Sequence, residues 1–351
     1  MGSPPPVFPT WATASSTCPR PLPWSPPRKR FSGATCFQWN FTGQAGYVAT
    51  RSTRQLGYLD VNAGQVIGAG TASQPLRQRF GRTATTTLVT PFGTSQYNSL
   101  QATLQRRFSR GVQVEANYTW SKTINHNTNS DSGPNFVQAL SYFGMNRVVA
   151  DYDRTQMFHI NNIWDLPLGK GHRWAASGPL AQVLGGWQMN QLWSFYTGSP
   201  FPVTASGTSL NMPGASQRAD QVKPTVGKIG GTGRGLSFFD PFAFASVTAP
   251  RFGTAGYRAL RGPGIINWDF GVRRNFQIRE RLQMQFRMEA FNFTNTPHFG
   301  NPGTNVSNMD LNPVTGEIVR LNGYTEITGV TNLARDGIDE RQFRLGLRFS
   351  F

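Results

Sequence analysis

The chain has 351 residues, 34 Lys and Arg against 17 Asp and Glu, a formal net charge of +17 and a mean hydropathy of −0.38. It contains no run of about 18 apolar residues, which excludes a transmembrane helix but leaves open a membrane β-barrel, whose strands are apolar only at alternate positions. Its Lys and Arg are spread along the chain rather than gathered in one tract, which argues against nucleic acid as a partner.

Residues 1–36 hold nine of the 24 prolines and no acidic residue. They show neither helical nor strand periodicity, and lack the apolar core of a secretory signal. Two readings stay open: a disordered Pro-rich tail, or a start that is not native coding sequence. Either way 1–36 is set apart from a second region, 37–351. The two cysteines, Cys18 and Cys36, permit one disulfide and have no His or Cys spacing for zinc.

From Phe37 onward, segments with alternating faces recur. In 39–49, Trp39, Phe41, Ala45 and Tyr47 share a side. In 97–108, Leu100, Ala102, Leu104 and Phe108 oppose Gln101, Thr103, Gln105 and Arg107. After the turn Ser109-Arg110-Gly111, Val112, Val114, Ala116, Tyr118 and Trp120 oppose Gln113, Glu115, Asn117 and Thr119, which predicts a hairpin. The same period marks 157–166, 186–198, 265–276, 281–293 and 340–351, giving eight strands, each long enough to cross an outer membrane at a tilt. If the last strand ends at the periplasmic rim, the connectors alternate: 50–96, 121–156, 199–264 and 295–339 are long and outside, while 109–111 and 277–280 are short and periplasmic. The connector 167–185 fits least well and has room for a short helix. The predicted fold is all-β, an antiparallel transmembrane β-barrel segment with long outer loops and short periplasmic turns. A strand edge in hydrocarbon must be paired, so the last strand is expected to close against a first one.

The runs YNSLQATLQRRFSRGVQVEANYTWSK, GWQMNQLWSFYTGSPF, LRGPGIINWDFGVRRNF and FRMEAFNFTNTPHFG, with the terminal RQFRLGLRFSF, resemble the carboxyl-terminal barrel of Oar-like TonB-dependent outer-membrane transporters. The resemblance covers about residues 38–351 in family order. It implies a location in the cell outer membrane, lipid and the barrel-insertion machinery as partners, and a complete relative with a signal peptide, a plug and 22 strands. The TonB complex would be a partner only where a plug is present. Without plug or signal peptide here, the expectation is a truncated fragment.

Candidate sites follow from the alternation. Phe343, Leu345, Leu347, Phe349 and Phe351 form one apolar row at the chain end and resemble the carboxyl-terminal signal read by insertion machinery. Glu115, Asp269, Arg273, Arg287, Glu289, Arg344 and Arg348 fall in the polar phase and would face a lumen, the arginines paired with the acids. Attraction of an anionic solute is the weaker reading. Trp120, Trp187, Trp193, Tyr118 and Phe291 read as interface or lipid-facing aromatics. The run 230–235, GGTGRG, reads as a flexible outer loop rather than a phosphate loop. Oxygen-rich 125–133 leaves calcium open. Asp151-Tyr152-Asp153-Arg154 reads as loop pairing. His126, His159, His172 and His298 sit apart, so no metal, cofactor or catalytic group is expected and the chain is not read as an enzyme. The rivals are a self-contained eight-stranded barrel with a structural or adhesive role, and a soluble sugar-binding β-sandwich.

Overall fold

The computed structural model describes residues 32–37, 40–126, 136–169, 174, 177–331 and 339–351. One antiparallel sheet runs through the chain: β1 (Ser32–Phe37), β2 (Phe41–Asp60), β3 (Thr87–Ser109), β4 (Val112–Asn125), β5 (Gln156–Asp165), β6 (Trp187–Tyr196), β7 (Ile265–Arg279), β8 (Leu282–Phe291) and β9 (Gln342–Ser350). Each strand pairs with its sequence neighbours, and a two-residue strand, Val148–Val149, adds to the outer end of β4. All eight segments with period two are strands of this sheet. The ninth, β1, pairs from Ser32↔Gly46 to Phe37↔Phe41, so the boundary drawn at residue 37 falls at its last residue.

The turns follow local chemistry. Ser109 pairs with Val112 across Arg110 (φ 51°) and Gly111 (φ 79°). Two consecutive positive φ values suit the twist of a tight hairpin, and glycine adopts that region without a Cβ penalty. Arg279 pairs with Leu282 across two residues at the same end of the sheet. The connector 167–185 carries helix α2 (Gly178–Leu184), while α1 (Pro75–Phe80) lies between β2 and β3. The expected 50–96 loop is in large part strand, since β2 and β3 stay paired out to Asp60↔Thr87. Its remaining bend is ordered by the buried Asn62. That side chain donates to Arg82 O and Ala84 O and accepts from Leu76 N, so its burial leaves no amide atom unmet.

Two kinds of apolar surface result. Along the strands one row faces away from any protein: Leu345 is 72% exposed, Leu347 62% and Ile266 55%. Beyond the outer strand ends, 199–264 and 292–331 build a head with its own core, including Phe201, Phe239, Phe244, Val306, Tyr324 and Ile327. A second cluster of Val137, Leu210, Met212 and Tyr257 lies beside it. Short ladders knit this head, Pro200–Phe201 with Leu260–Arg261 and Asp220–Gln221 with Phe244–Ala245. The sandwich weighed from the sequence needs a second sheet over the apolar face; the other described sheets are two-stranded and lie in the connectors. Expected closure of the last strand on a first one is also absent among the described residues: β9 is paired to β8 alone, and β1 to β2 alone. Among the described residues the nine strands form one continuous wall.

Candidate functional site

The polar phase of β5 to β8 lines a groove of about 630 Å³. Asn161, Asn190, Asn267, Asp269, Arg287 and Glu289 supply its polar atoms. Alternation brings them together, because Asn161 faces Leu192 and Leu192 faces Asp269 across adjacent ladders. At Gly271 the neighbouring strand comes close: a Cβ there would stand 2.4 Å from Asn190 Oδ1, so a side chain would push the asparagine out of the groove.

The acids in this row are held mostly by amides. Asp269 Oδ1 accepts from Asn267 Nδ2 (3.0 Å) and from Asn292 N (2.9 Å). Glu115 accepts from Asn117 Nδ2 at 3.0 Å, and Thr103 Oγ1 donates to Asn117 Oδ1 at 2.8 Å. Among the described residues Glu289 is the acid of this row in an ion pair with an arginine, Arg287 Nη1 at 3.6 Å on its own strand. It also stands opposite Arg344 in the β8–β9 ladder. Arg273 stands opposite Arg287, and Arg348 opposite Gln285. The expected pairing of the row's arginines with Glu115 and Asp269 therefore gives way to carboxylate–amide contacts. The reason is spacing: asparagine two residues along the same strand lies within reach of the carboxylate, while Arg273 is four residues from Asp269 along β7.

Phe291 departs from its expected place. It alternates with Ala290, so it joins Glu289 on the polar face, where the Arg344 guanidinium lies 5.4 Å from its ring centre. The other aromatics named from the sequence stay in the apolar phase. Trp193 stacks on Trp268 at 4.3 Å, and Trp187 meets Phe286 edge-on. Trp120 is exposed at the outer end of β4. Phe343, Leu345, Leu347 and Phe349 pair with Ala290, Met288, Phe286 and Met284, extending that apolar face to the sheet edge, and Phe351 follows β9.

The head is fastened to the strands by buried charge. Asp153 accepts from Thr123 N (2.7 Å) and pairs with Arg261 Nη2 (2.5 Å), which confirms loop pairing for that acid. Arg258 pairs with Asp151 at 3.7 Å and donates to Val149 O; burial pulls its guanidinium below the ordinary range. The buried His298 sits with Nδ1 2.6 Å from Asp339 Oδ1 and Nε2 3.1 Å from Ile266 O. Asp220 takes two bonds from Arg251, which hold its carboxyl below the usual range. The run 230–235 is pinned rather than loose: Gly233 N donates to Ile327 O, and Gly235 N to Glu326 Oε1. Apart from the loop pairing read for Asp153, these fastenings were missed from sequence. Their only trace was aromatic residues such as Phe201, Phe239 and Tyr324 inside connectors with no period.

Among the described residues no three His, Cys, Asp or Glu gather to hold a metal. From residue 127 the oxygen-rich run lies outside the described residues, as do His172 and Cys18. The sequence profile of the family described as "Outer membrane beta barrel domain" matches residues 34–336. No curated protein matches the chain. Among solved structures, the outer membrane transporter YddB from Escherichia coli is similar at 9% identity and a TM-score of 0.43, over 90% of this chain and 31% of that one. The FpvAI–pyocin S2 complex is similar at 11% identity and a TM-score of 0.37, over 90% of this chain and 26% of that one. The chain thus spans about a third or less of the length of either structure.

Proposed function

Starting from the chain's membership of the outer membrane β-barrel domain family, which places it in the outer membrane, we propose that it supplies wall strands and outer loops to a TonB-dependent, Oar-like transporter. The observation that carries this reading is the continuous nine-strand wall, apolar on one face and amide-rich on the other, under an ordered outer head. In this reading the apolar face meets lipid and the amide row lines a wet passage for a polar solute, with the chain performing no covalent chemistry. Energy would come through a plug supplied with the rest of the protein. The apolar row of β9 also suits delivery by barrel-insertion machinery, because an amphipathic strand can add to a partner sheet.

The test is split-barrel complementation. The chain is exported behind a signal peptide, with or without a separate polypeptide carrying a plug and the remaining strands. The expected result is a heat-modifiable barrel only when both pieces are present, and loss of solute uptake when TonB is depleted. A heat-modifiable barrel from this chain alone would replace the transporter-wall reading with the self-contained barrel.

A further inference from the structure

The apolar face carries two adjoining grooves at its outer end, away from the amide row. The first encloses about 700 Å³. Its floor is Tyr118, Phe158, Phe195 and Ile266, and Lys228 and Arg261 stand at its rim. The floor residues belong to the outward phase, since Tyr118 faces Phe158, Phe158 faces Phe195, and Phe195 faces Ile266 in successive ladders. The second groove, about 730 Å³, shares Arg261 and is lined by Lys122, Arg147, Arg218 and Arg258. Lys122 alternates with the buried Ser121 and follows Trp120 by two residues, so it projects outward just past the aromatic at the strand's outer end.

No carboxylate lines either groove among the described residues. Arg258 and Arg261 are held by Asp151 and Asp153. Lys122, Arg147, Arg218 and Lys228 form no ion pair among the described residues. Arg218 also keeps a buried Nε with no hydrogen-bond partner there. Positive charge without a carboxylate partner among the described residues thus sits beside an apolar trough in the outward phase, with Arg218 also over the Tyr257 ring and Lys228 over the Phe238 ring.

The geometry points to a binding site for a phosphorylated lipid of the outer leaflet, its headgroup phosphates on Lys122, Arg147, Arg218 and Lys228 and its acyl chains along Tyr118, Phe158, Phe195 and Ile266. A soluble anion would use the cations but not the apolar floor, and a neutral lipid would use the floor but leave the cations uncompensated. Only an amphiphile with an anionic head satisfies both. The site goes beyond solute passage, because it lies on the opposite face of the sheet from the amide groove.

The chain, co-assembled with the polypeptide that carries the plug and the remaining strands, is held in non-ionic micelles, titrated with three probes and read by native mass spectrometry: a bis-phosphorylated acylated diglucosamine, the same lipid after phosphate removal, and inorganic phosphate. Phosphate removal is expected to weaken binding at least tenfold, and inorganic phosphate at equal concentration to leave the lipid bound. The variant Lys122→Gln/Arg147→Gln/Lys228→Gln is expected to reproduce the loss, and Lys122→Arg/Arg147→Lys/Lys228→Arg to restore it. Circular dichroism checks that each variant keeps its strands. Equal binding of the two lipids by the unaltered chain would overturn the site, as would a neutralised variant that binds normally. Displacement by inorganic phosphate would reassign the cluster to small anions.

Discussion

The last strand and the outer head use the same residue types in opposite ways. In β9, Leu345 and Phe349 stand out from the protein in a strict period of two; in the head, Phe239 and Tyr324 are enclosed with no period at all. The strand's apolar groups are covered by whatever solvent lies against them, and in an outer membrane that solvent is hydrocarbon. The head faces water and must cover its apolar groups with protein, which demands buried fastenings for the backbone and charges that come along. The difference teaches that a long connector here is a folded body with a core, and that the strands depend on the membrane for theirs.

Removing a fastening should separate the two regions most sharply. Asp153→Ala leaves Arg261 and Thr123 N without their shared partner, and His298→Leu takes the imidazole from Asp339 Oδ1 while the backbone N of residue 298 still donates to Oδ2. Removing the buried Asp153 from its pair with Arg261 costs about 3–5 kcal/mol. The expected outcome is early proteolysis of 199–264 with the sheet still folded, measured by limited digestion of the inserted protein. Loss of the strands together with the head would break the comparison.

The converse change is Leu345→Arg, which sets a charge in the apolar row near mid-strand and should cost about 2–4 kcal/mol of membrane stability. Gly346→Arg, on the opposite face beside Arg287, should cost less. Urea titration of the inserted protein measures both. Equal losses would mean that the two faces of β9 meet the same medium.

Smaller still is the cross-strand term between Glu289 and Arg344, which are opposite in the ladder. A double-mutant cycle is expected to give about 0.2–1 kcal/mol of coupling. Coupling indistinguishable from zero would leave Arg287 as the acid's sole cationic partner.

The gentlest probe is acid. The Arg251 bonds depress the Asp220 carboxyl in the folded head, so its contribution is present above the unfolded value near 3.9 and is lost as pH falls through the folded value. Protease sensitivity of the head should therefore rise below about pH 4. In Asp220→Asn that acid-dependent step should be reduced.

The same contrast explains what the sequence revealed. Strands were legible because a membrane imposes one periodic rule on every segment, and residues such as Leu100, Trp120 and Phe286 obey it independently of their neighbours. β1 was hidden by its brevity and by the Pro-rich run before it. The head was not legible because its order comes from pairings distant in the chain: nothing near Asp153 signals Arg261, and nothing near Gly235 signals Glu326. On the polar side of the sheet, alternation placed Glu115, Asp269 and Glu289 on one face, while their partners depended on reach. Asn117 and Asn267, two residues away along the strand, were better placed than any arginine but Arg287.

The stitching of the head also sets an order of events in time. Ser199 reaches Asn301 across 102 residues, Ser206 reaches Ser307 across 101, and Gly235 reaches Glu326 across 91. Between the two halves of each pair lie β7 and β8, a hairpin whose own contacts are local. Loop-closure entropy delays distant contacts until something shortens the path between them, and a formed β7–β8 hairpin does so. The head should therefore be the last part to close, and during insertion its aromatic residues stay uncovered on the outer side until the hairpin beneath them is complete.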